Sequence, residues 1–134
     1  MHVYRKILVT IDCSSADSAI LEHVTALARQ NEAQVVLFHV VHSHTVDQDR
    51  ALKASAEEML GRYREEMTSK GVNVHVLLRG GEPGDEILTE LEDGDYDLVA
   101  MGTHGHRFFG DLLFGSVSDT LKHRIRIPLL LLRS

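Results

Sequence analysis

The sequence predicts a three-layer, doubly wound α/β domain, in which helices cover both faces of a parallel sheet. Two observations support this: short apolar runs alternate with segments of helical spacing, and turn residues separate them. Such strands pair in parallel, because each helix returns the chain along the sheet through a right-handed connection. The 134 residues, 43% of them hydrophobic, suffice for one ordinary core. We therefore expect a single domain over residues 1–134.

The first half of the chain contains two predicted strands and two predicted helices. Tyr4–Ile11 and Gln34–Val41 are apolar runs, rich in β-branched residues, which are typical of strands buried on both faces. Ser14 or Ser15 is suited to cap the first helix, because a hydroxyl oxygen can accept a hydrogen bond from the first helical turn. The second helix is predicted over Asp49–Ser69, where apolar residues recur at helical spacing.

The second half of the chain repeats this alternation with three strands and two helices. The predicted strands are Val72–Leu78, Tyr96–Met101 and Pro128–Leu132, and the predicted helices are Asp85–Glu92 and Gly115–His123. Pro83 suits the first turn of the earlier helix, because proline needs no backbone N–H partner there. The five strands and four helices together favour the doubly wound fold.

The candidate ligand site follows from the fold, because open parallel sheets bind ligands outside the carboxyl ends of their strands. The segments at that edge are Thr10–Cys13, Val40–His44, Gly80–Gly81 and Gly102–Ser116. The last segment holds four of the ten glycines. Gly102 and Gly105 allow close backbone approach to a ligand, and a helix opening at Gly115-Ser116 favours a phosphate. The alternative is that these glycines are only turn and cap residues.

The spacing Gly102-x2-Gly105-x9-Gly115-Ser116 resembles the nucleotide-binding motif of the universal stress protein family. The resemblance covers nearly the whole chain, including KILVTID, VVLFHVV, YDLVAMGTHG and the closing PLLLL. It implies a five-stranded parallel sheet in the order 3-2-1-4-5, with ATP bound between the first and fourth strands. It also implies Mg or Mn bridging the phosphates, and a regulator in the stress response. The alternatives are a slow ATPase, or an adaptor that binds AMP, another adenine nucleotide or none and regulates a transporter or kinase.

The resemblance also implies roles for individual residues. Asp12 contacts the adenosine moiety, with helix capping as its alternative role, and Val40 holds the adenine. His104 or Arg107 is suited to contact the phosphates through charge or hydrogen bonding. The predicted nucleotide-binding residues are Thr10, Ile11, Asp12, Val40, Met101, Gly102, His104, Gly105, Arg107, Gly115, Ser116 and Val117.

Two departures from the family pattern lie at this predicted site. Cys13 stands where relatives often carry glycine or a small polar residue, so we expect it to crowd the nucleotide. Phe108 and Phe109 are bulky for a loop, and they either pack on the domain or cover a ligand or partner surface.

Composition excludes several classes of function. A formal net charge of −6 with scattered Lys and Arg argues against nucleic-acid binding. A single cysteine, Cys13, fits a reducing compartment, and no apolar run is long enough to span a membrane. We therefore expect a cytoplasmic protein without membrane insertion.

The remaining polar clusters assign neither catalysis nor a protein-bound metal. No serine lies in a Gly-x-Ser-x-Gly nucleophile elbow, so no catalytic residue is proposed. The pairs His42/His44 and His104/His106 lie at the ligand edge, but loop histidines without cysteine partners favour an ordinary surface over a metal site. The acidic residues between 82 and 97 indicate a solvated helix face and loop, with a metal site or catalytic pair as the alternative.

The last predicted strand, Pro128–Leu132, is strongly apolar and lies at a sheet edge in the family order. An exposed edge strand of this composition favours pairing with another chain. The resemblance also implies a homodimer through this strand.

Overall fold

The computed structural model describes residues 2–15, 17–43, 45–103 and 109–133, and strands alternate with helices along them. All five predicted strands and all four predicted helices are present there. The elements in chain order are β1 (Lys6–Thr10), α1 (Asp17–Asn31), β2 (Gln34–Val41), α2 (Val46–Ser69), β3 (Asn73–Gly80), α3 (Pro83–Asp93), β4 (Leu98–Thr103), α4 (Phe109–Arg124) and β5 (Leu129–Arg133).

The strands form one parallel sheet in the order β3-β2-β1-β4-β5. The central strand is β1, which pairs with Gln34–Phe38 of β2 on one side and with Leu98–Met101 of β4 on the other. The chain therefore crosses to the other half of the sheet after β3, which opens the carboxyl edge beside β1 to a ligand. The fold class and the strand order expected from the sequence and the resemblance are confirmed.

Apolar side chains pack against both faces of the sheet. Along β1, Ile7 and Val9 contact the core under α1 and α2, whereas Leu8 contacts the core under α3 and α4. All three side chains are fully buried. Because strand residues alternate between faces, Thr10 follows Leu8 to the α3 side of the sheet. Among the described helices, none combines the length and the apolar composition that crossing a membrane requires.

Local capping moves the starts of two helices away from their predicted positions. The Thr45 hydroxyl accepts a hydrogen bond from the backbone N–H of Gln48 at 3.0 Å, so α2 begins at Val46, before its predicted start. The side chain of Glu82 caps α3 in the same way, and this helix begins at Pro83.

The start of α4 is the largest difference from the sequence prediction. The helix spans Phe109–Arg124, whereas its start was predicted at Gly115. Gly115 and Ser116 therefore lie within the helix, and the prediction that they form its N-terminus is wrong. Residues 110–114 contain no proline and include two leucines, which favour helix. An interior glycine costs only about 1 kcal/mol, which tertiary packing can offset.

Candidate functional site

A cleft opens at the carboxyl ends of β1 and β2, beside the start of α3. Its empty volume is about 380 Å³, part of which is open to solvent. Residues from three distant parts of the sequence line it: Thr10, Ile11, Asp12, Phe38, His39, Val40, Pro83 and Ile87. Four of them, Thr10, Ile11, Asp12 and Val40, are predicted nucleotide-binding residues. The structure brings these four together at the edge that the sheet rule selects.

The inner wall of the cleft is apolar. Phe38 is fully buried, Ile87 is 2% exposed, and Val40 is half-buried at the carboxyl end of β2. Apolar walls with few polar groups are typical of pockets for flat organic ligands. A wall of this kind suits the flat face of a ligand ring.

Thr10 brings a buried hydroxyl group to the same cleft. Its side chain is 3% exposed, and among the described residues its Oγ1 is the buried side-chain atom that lacks a hydrogen-bond partner. An unsatisfied buried polar group costs about 1–3 kcal/mol. Polar atoms at the edge of a purine would offer this hydroxyl a hydrogen-bond partner. The cleft therefore suits a base in its chemistry as well as in its shape.

His39 fixes the carboxyl ends of β1 and β2 beside the cleft. Its Nδ1 lies 2.6 Å from the carbonyl oxygen of Ile11. Because a carbonyl oxygen only accepts, Nδ1 carries a proton and donates it to this bond. The backbone N–H of Ile11 in turn donates to the carbonyl of Phe38 at 2.8 Å. Two hydrogen bonds therefore hold the segment that leads into Asp12 against the end of β2.

Asp12 begins a tight turn at the rim of the cleft. Its Oδ1 accepts hydrogen bonds from the backbone N–H of Ser14 at 3.1 Å and from the Ser14 hydroxyl at 2.5 Å. A carboxylate that binds the backbone two residues later stabilises a turn. Asp12 therefore lies in a turn, five residues before the first described residue of α1.

Cys13 lies inside this turn in the left-handed region, with a φ of 61°. That region favours glycine, which gives a physical reason for a small residue at this position. The Cys13 side chain packs against the core under α1 and α2 and is not among the residues that line the cleft. Burial, followed by the charges of Asp17 and Asp12, raises the pKa of its thiol to about 12. The thiol is therefore protonated at neutral pH and is a poor nucleophile.

Other predicted site residues have different surroundings. Met101 and Val117 are 0% and 3% exposed, and both side chains belong to the core under α3 and α4. Contact between Met101 and a nucleotide would therefore come from the backbone, whereas Val117 lies in the interior of α4, where the helix itself uses the backbone N–H groups. Gly102 lies in β4, where it pairs with Leu132 of β5.

Part of the glycine-rich loop lies outside the described residues. Three predicted site residues are outside the described ranges: His104, Gly105 and Arg107. The same holds for His106 and Phe108 of this loop, and for His44 after β2. His42 is described, and its Nδ1 lies 3.2 Å from the carbonyl oxygen of Gly81. Within the described ranges, no three His, Cys, Asp or Glu side chains come together as a metal site.

Sequence reasoning missed Phe38, His39, Pro83 and Ile87 as cleft residues. Two signals were present. Phe38 lies two residues before Val40 and therefore shares its face of β2. Pro83 and Ile87 are four residues apart and share a face of α3. Neither signal indicates that α3 lies over the end of β2, which depends on the tertiary packing.

Comparisons with known proteins agree with this architecture. A model of the Universal stress protein family matches residues 3–133. The universal stress protein YxiE of Bacillus subtilis is 26% identical over 98% of this chain and 100% of its own length.

Two solved structures have the same fold. The structure of MJ0577, a universal stress protein of Methanocaldococcus jannaschii, superposes with a TM-score of 0.81 at 26% identity, covering 98% of this chain and 97% of that one. The universal stress protein of Archaeoglobus fulgidus in complex with dAMP has a TM-score of 0.70 at 23% identity. That match covers 96% of this chain and 98% of the other.

Proposed function

Because the chain belongs to the universal stress protein family, we propose that it is an ATP-binding regulator in a stress response, without efficient catalysis. The observation that carries the proposal is the cleft in which Thr10, Ile11, Asp12 and Val40 meet at the carboxyl edge of the sheet. The dAMP complex of the Archaeoglobus fulgidus relative supports an adenine nucleotide as the class of ligand.

The surroundings of the cleft suggest how the nucleotide would be held. The adenine would pack against Val40, with the Thr10 hydroxyl facing its polar edge. The Asp12 carboxylate at the rim is suited to accept hydrogen bonds from ribose hydroxyls. The phosphates would then lie beyond Gly102 at the end of β4, where His104 and Arg107 would supply donors.

A divalent cation would depend on the nucleotide for its ligands. The described residues do not gather three metal-ligating side chains, whereas phosphate oxygens are the ligands that Mg²⁺ prefers. We therefore propose Mg²⁺ or Mn²⁺ bridging the phosphates of bound ATP. The ion would neutralise phosphate charge in a protein with a net charge of −6.

Titration of the purified protein with ATP and AMP, each with and without Mg²⁺, tests the proposal. We expect saturable binding, with tighter binding of ATP when Mg²⁺ is present. Mass spectrometry under non-denaturing conditions would identify any nucleotide that co-purifies. Absence of binding at millimolar nucleotide with Mg²⁺ would overturn the proposal, and a preference for AMP would favour the adaptor alternative.

The same samples separate a binding protein from a slow ATPase. We expect the wild type and a Gly115→Ala variant to release phosphate equally slowly. Steady release by the wild type above this control would favour the ATPase alternative. The cytoplasmic location expected from the sequence stays a prediction.

We further propose a homodimer through β5. This strand lies at the edge of the sheet and pairs with β4, so its other edge has no strand partner among the described residues. Leu131 on this strand is 46% exposed. An apolar edge of this kind favours pairing with a second copy.

Replacing Leu131 by lysine is expected to convert the dimer into a monomer in sedimentation experiments, because a charge opposes burial of the edge. Leu52→Lys is the matched control, since Leu52 is 40% exposed on α2, and the dimer should persist. A wild type that sediments as a monomer at all concentrations would contradict the dimer.

A further inference from the structure

A second carboxyl group, that of Asp17, lies directly behind the Asp12 turn. Asp17 is in the first turn of α1 and is only 3% exposed. Its Oδ1 accepts a hydrogen bond from the backbone N–H of Asp12 at 3.3 Å, and its Oδ2 accepts one from that of Ser14 at 3.2 Å. The Ser14 N–H also donates to Asp12 Oδ1 at 3.1 Å. Oxygen atoms of both carboxyl groups therefore converge on one amide.

Hydrogen bonds to Asp17 oppose the cost of burying its charge but do not outweigh it. Tyr63 of α2 donates its hydroxyl to Asp17 Oδ2 at 3.1 Å, and the protonated thiol of Cys13 lies nearby in the turn. No lysine or arginine among the described residues forms an ion pair with Asp17. Burial, followed by the charge of Asp12 and a hydrogen bond with it, raises the pKa of Asp17 from 3.8 to about 7. A carboxyl group buried beside a second one favours its protonated form.

We propose that Asp17 is a positioning residue for the nucleotide site and that it shares one proton with Asp12, so that nucleotide binding takes up a proton. The inference rests on the proposed function, because Asp12 is the member of the pair that lines the cleft. Asp17 positions Asp12 in two ways. Its bonds to two backbone N–H groups hold the turn, and the shared proton joins the two carboxyl groups.

The direction of the proton linkage follows from charge. A bound nucleotide removes water from Asp12 and brings anionic phosphates to the cleft, and both changes oppose a second negative charge on the pair. Binding therefore favours protonated Asp17 and raises the pKa of this residue. Nucleotide affinity falls as the pH rises through neutrality, by at most about tenfold per pH unit for one proton.

The pair also makes folding stability depend on pH without any ligand. The folded pKa of Asp17 lies above its ordinary value of 3.8, so the folded state binds more protons than the unfolded state between pH 3.8 and about 7. The resulting stabilisation is complete below this window and is lost as the pH rises through it. The Tm of the wild type should therefore decline over this window relative to that of a variant with no titratable group at position 17.

Asp17→Asn provides that variant, because the amide has the size of the carboxyl group and does not titrate, and its one oxygen keeps one of the two backbone hydrogen bonds. Asp119→Asn is the matched control, since it removes an exposed carboxylate of α4 that pairs with Lys122. Calorimetric titration with ATP between pH 6 and 8, in buffers of different ionisation enthalpy, measures affinity and proton uptake together. As the pH rises from 6 to 8, we expect the ATP affinity of the wild type and of Asp119→Asn to fall. This fall should be about 3- to 10-fold larger than the fall for Asp17→Asn.

The outcomes distinguish this inference from the proposed function. Equal pH dependence and equal proton uptake in the wild type and Asp17→Asn would overturn the inference alone. Absence of nucleotide binding by the wild type at every pH would overturn the proposed function and the inference with it. If Asp17→Asn does not fold, carbon NMR of the wild-type carboxyl groups decides: one titration near pH 7 supports the shared proton, and two titrations below pH 5 overturn it.

Discussion

Replacing Val40 by glutamate is expected to weaken adenine-nucleotide binding by about 100-fold or more. Val40 is half-buried at the carboxyl end of β2 and lines the cleft with Phe38 and Ile87. An ionised carboxylate there would lie against an apolar wall and would repel the phosphates of the nucleotide. A loss of 100-fold corresponds to about 3 kcal/mol, which is reasonable for a charge placed in a ligand site. Calorimetric titration with ATP and Mg²⁺ measures the loss.

Val46→Glu is the control for this experiment. It makes the same chemical change at the start of α2, where the side chain is 74% exposed, so affinity should stay within about twofold of the wild type. Circular dichroism should show that both variants are folded, because neither replaced side chain belongs to the fully buried core. Unchanged binding by a folded Val40→Glu variant would place the nucleotide elsewhere.

Much of the fold is predictable because its signals are local. The run Gln34–Val41 has the bounds predicted for β2, since a strand buried on both faces is a continuous apolar run. Once alternation of strands and helices establishes a parallel sheet, the carboxyl edge follows, and with it the segments Thr10–Cys13 and Val40–His44, of which Thr10–Asp12 and Val40 line the cleft. These predictions need only periodicity and one general property of open sheets.

The remaining features depend on contacts between distant residues. Asp17 was not a candidate, because its effect on the turn comes from the geometry of Asp12 and Ser14 and from Tyr63 in another helix. Glu90 was expected on a solvated acidic face, yet it is 8% exposed, and that expectation is wrong for this residue. Its burial results from polar partners that the sequence pattern does not pair with it.

Those partners hold α3 against the sheet. Glu90 Oε1 accepts a hydrogen bond from Arg79 of β3 at 2.6 Å, and its Oε2 accepts one from the hydroxyl of Tyr96 at 2.7 Å. Burial and the hydrogen bond to Glu90 raise the pKa of Tyr96, so its hydroxyl stays a donor at all moderate pH values. The same helix carries Pro83 and Ile87, which line the cleft. A polar contact remote from the ligand therefore supports one wall of the site.

Glu90→Ala is expected to lower the free energy of unfolding by about 3 kcal/mol, because it leaves the Tyr96 hydroxyl and the Arg79 guanidinium without their partner. Breaking a buried ion pair costs about 3–5 kcal/mol. We expect the low end of that range here, because the Arg79 side chain is 37% exposed and can regain water. Urea unfolding measures the change. Nucleotide affinity should fall a few-fold as well, because α3 is then held less firmly over the cleft.

Two controls separate the buried network from a general effect of losing a carboxylate. Glu90→Gln keeps an acceptor for Arg79 or Tyr96, so it should lose less than half as much stability as Glu90→Ala. Asp119→Ala removes an exposed partner of Lys122, a kind of pair that contributes about 0–1 kcal/mol. If Glu90→Ala unfolded at the same urea concentration as Asp119→Ala, the network would not hold α3, and the wall of the cleft would depend on the apolar contacts of Ile87 instead.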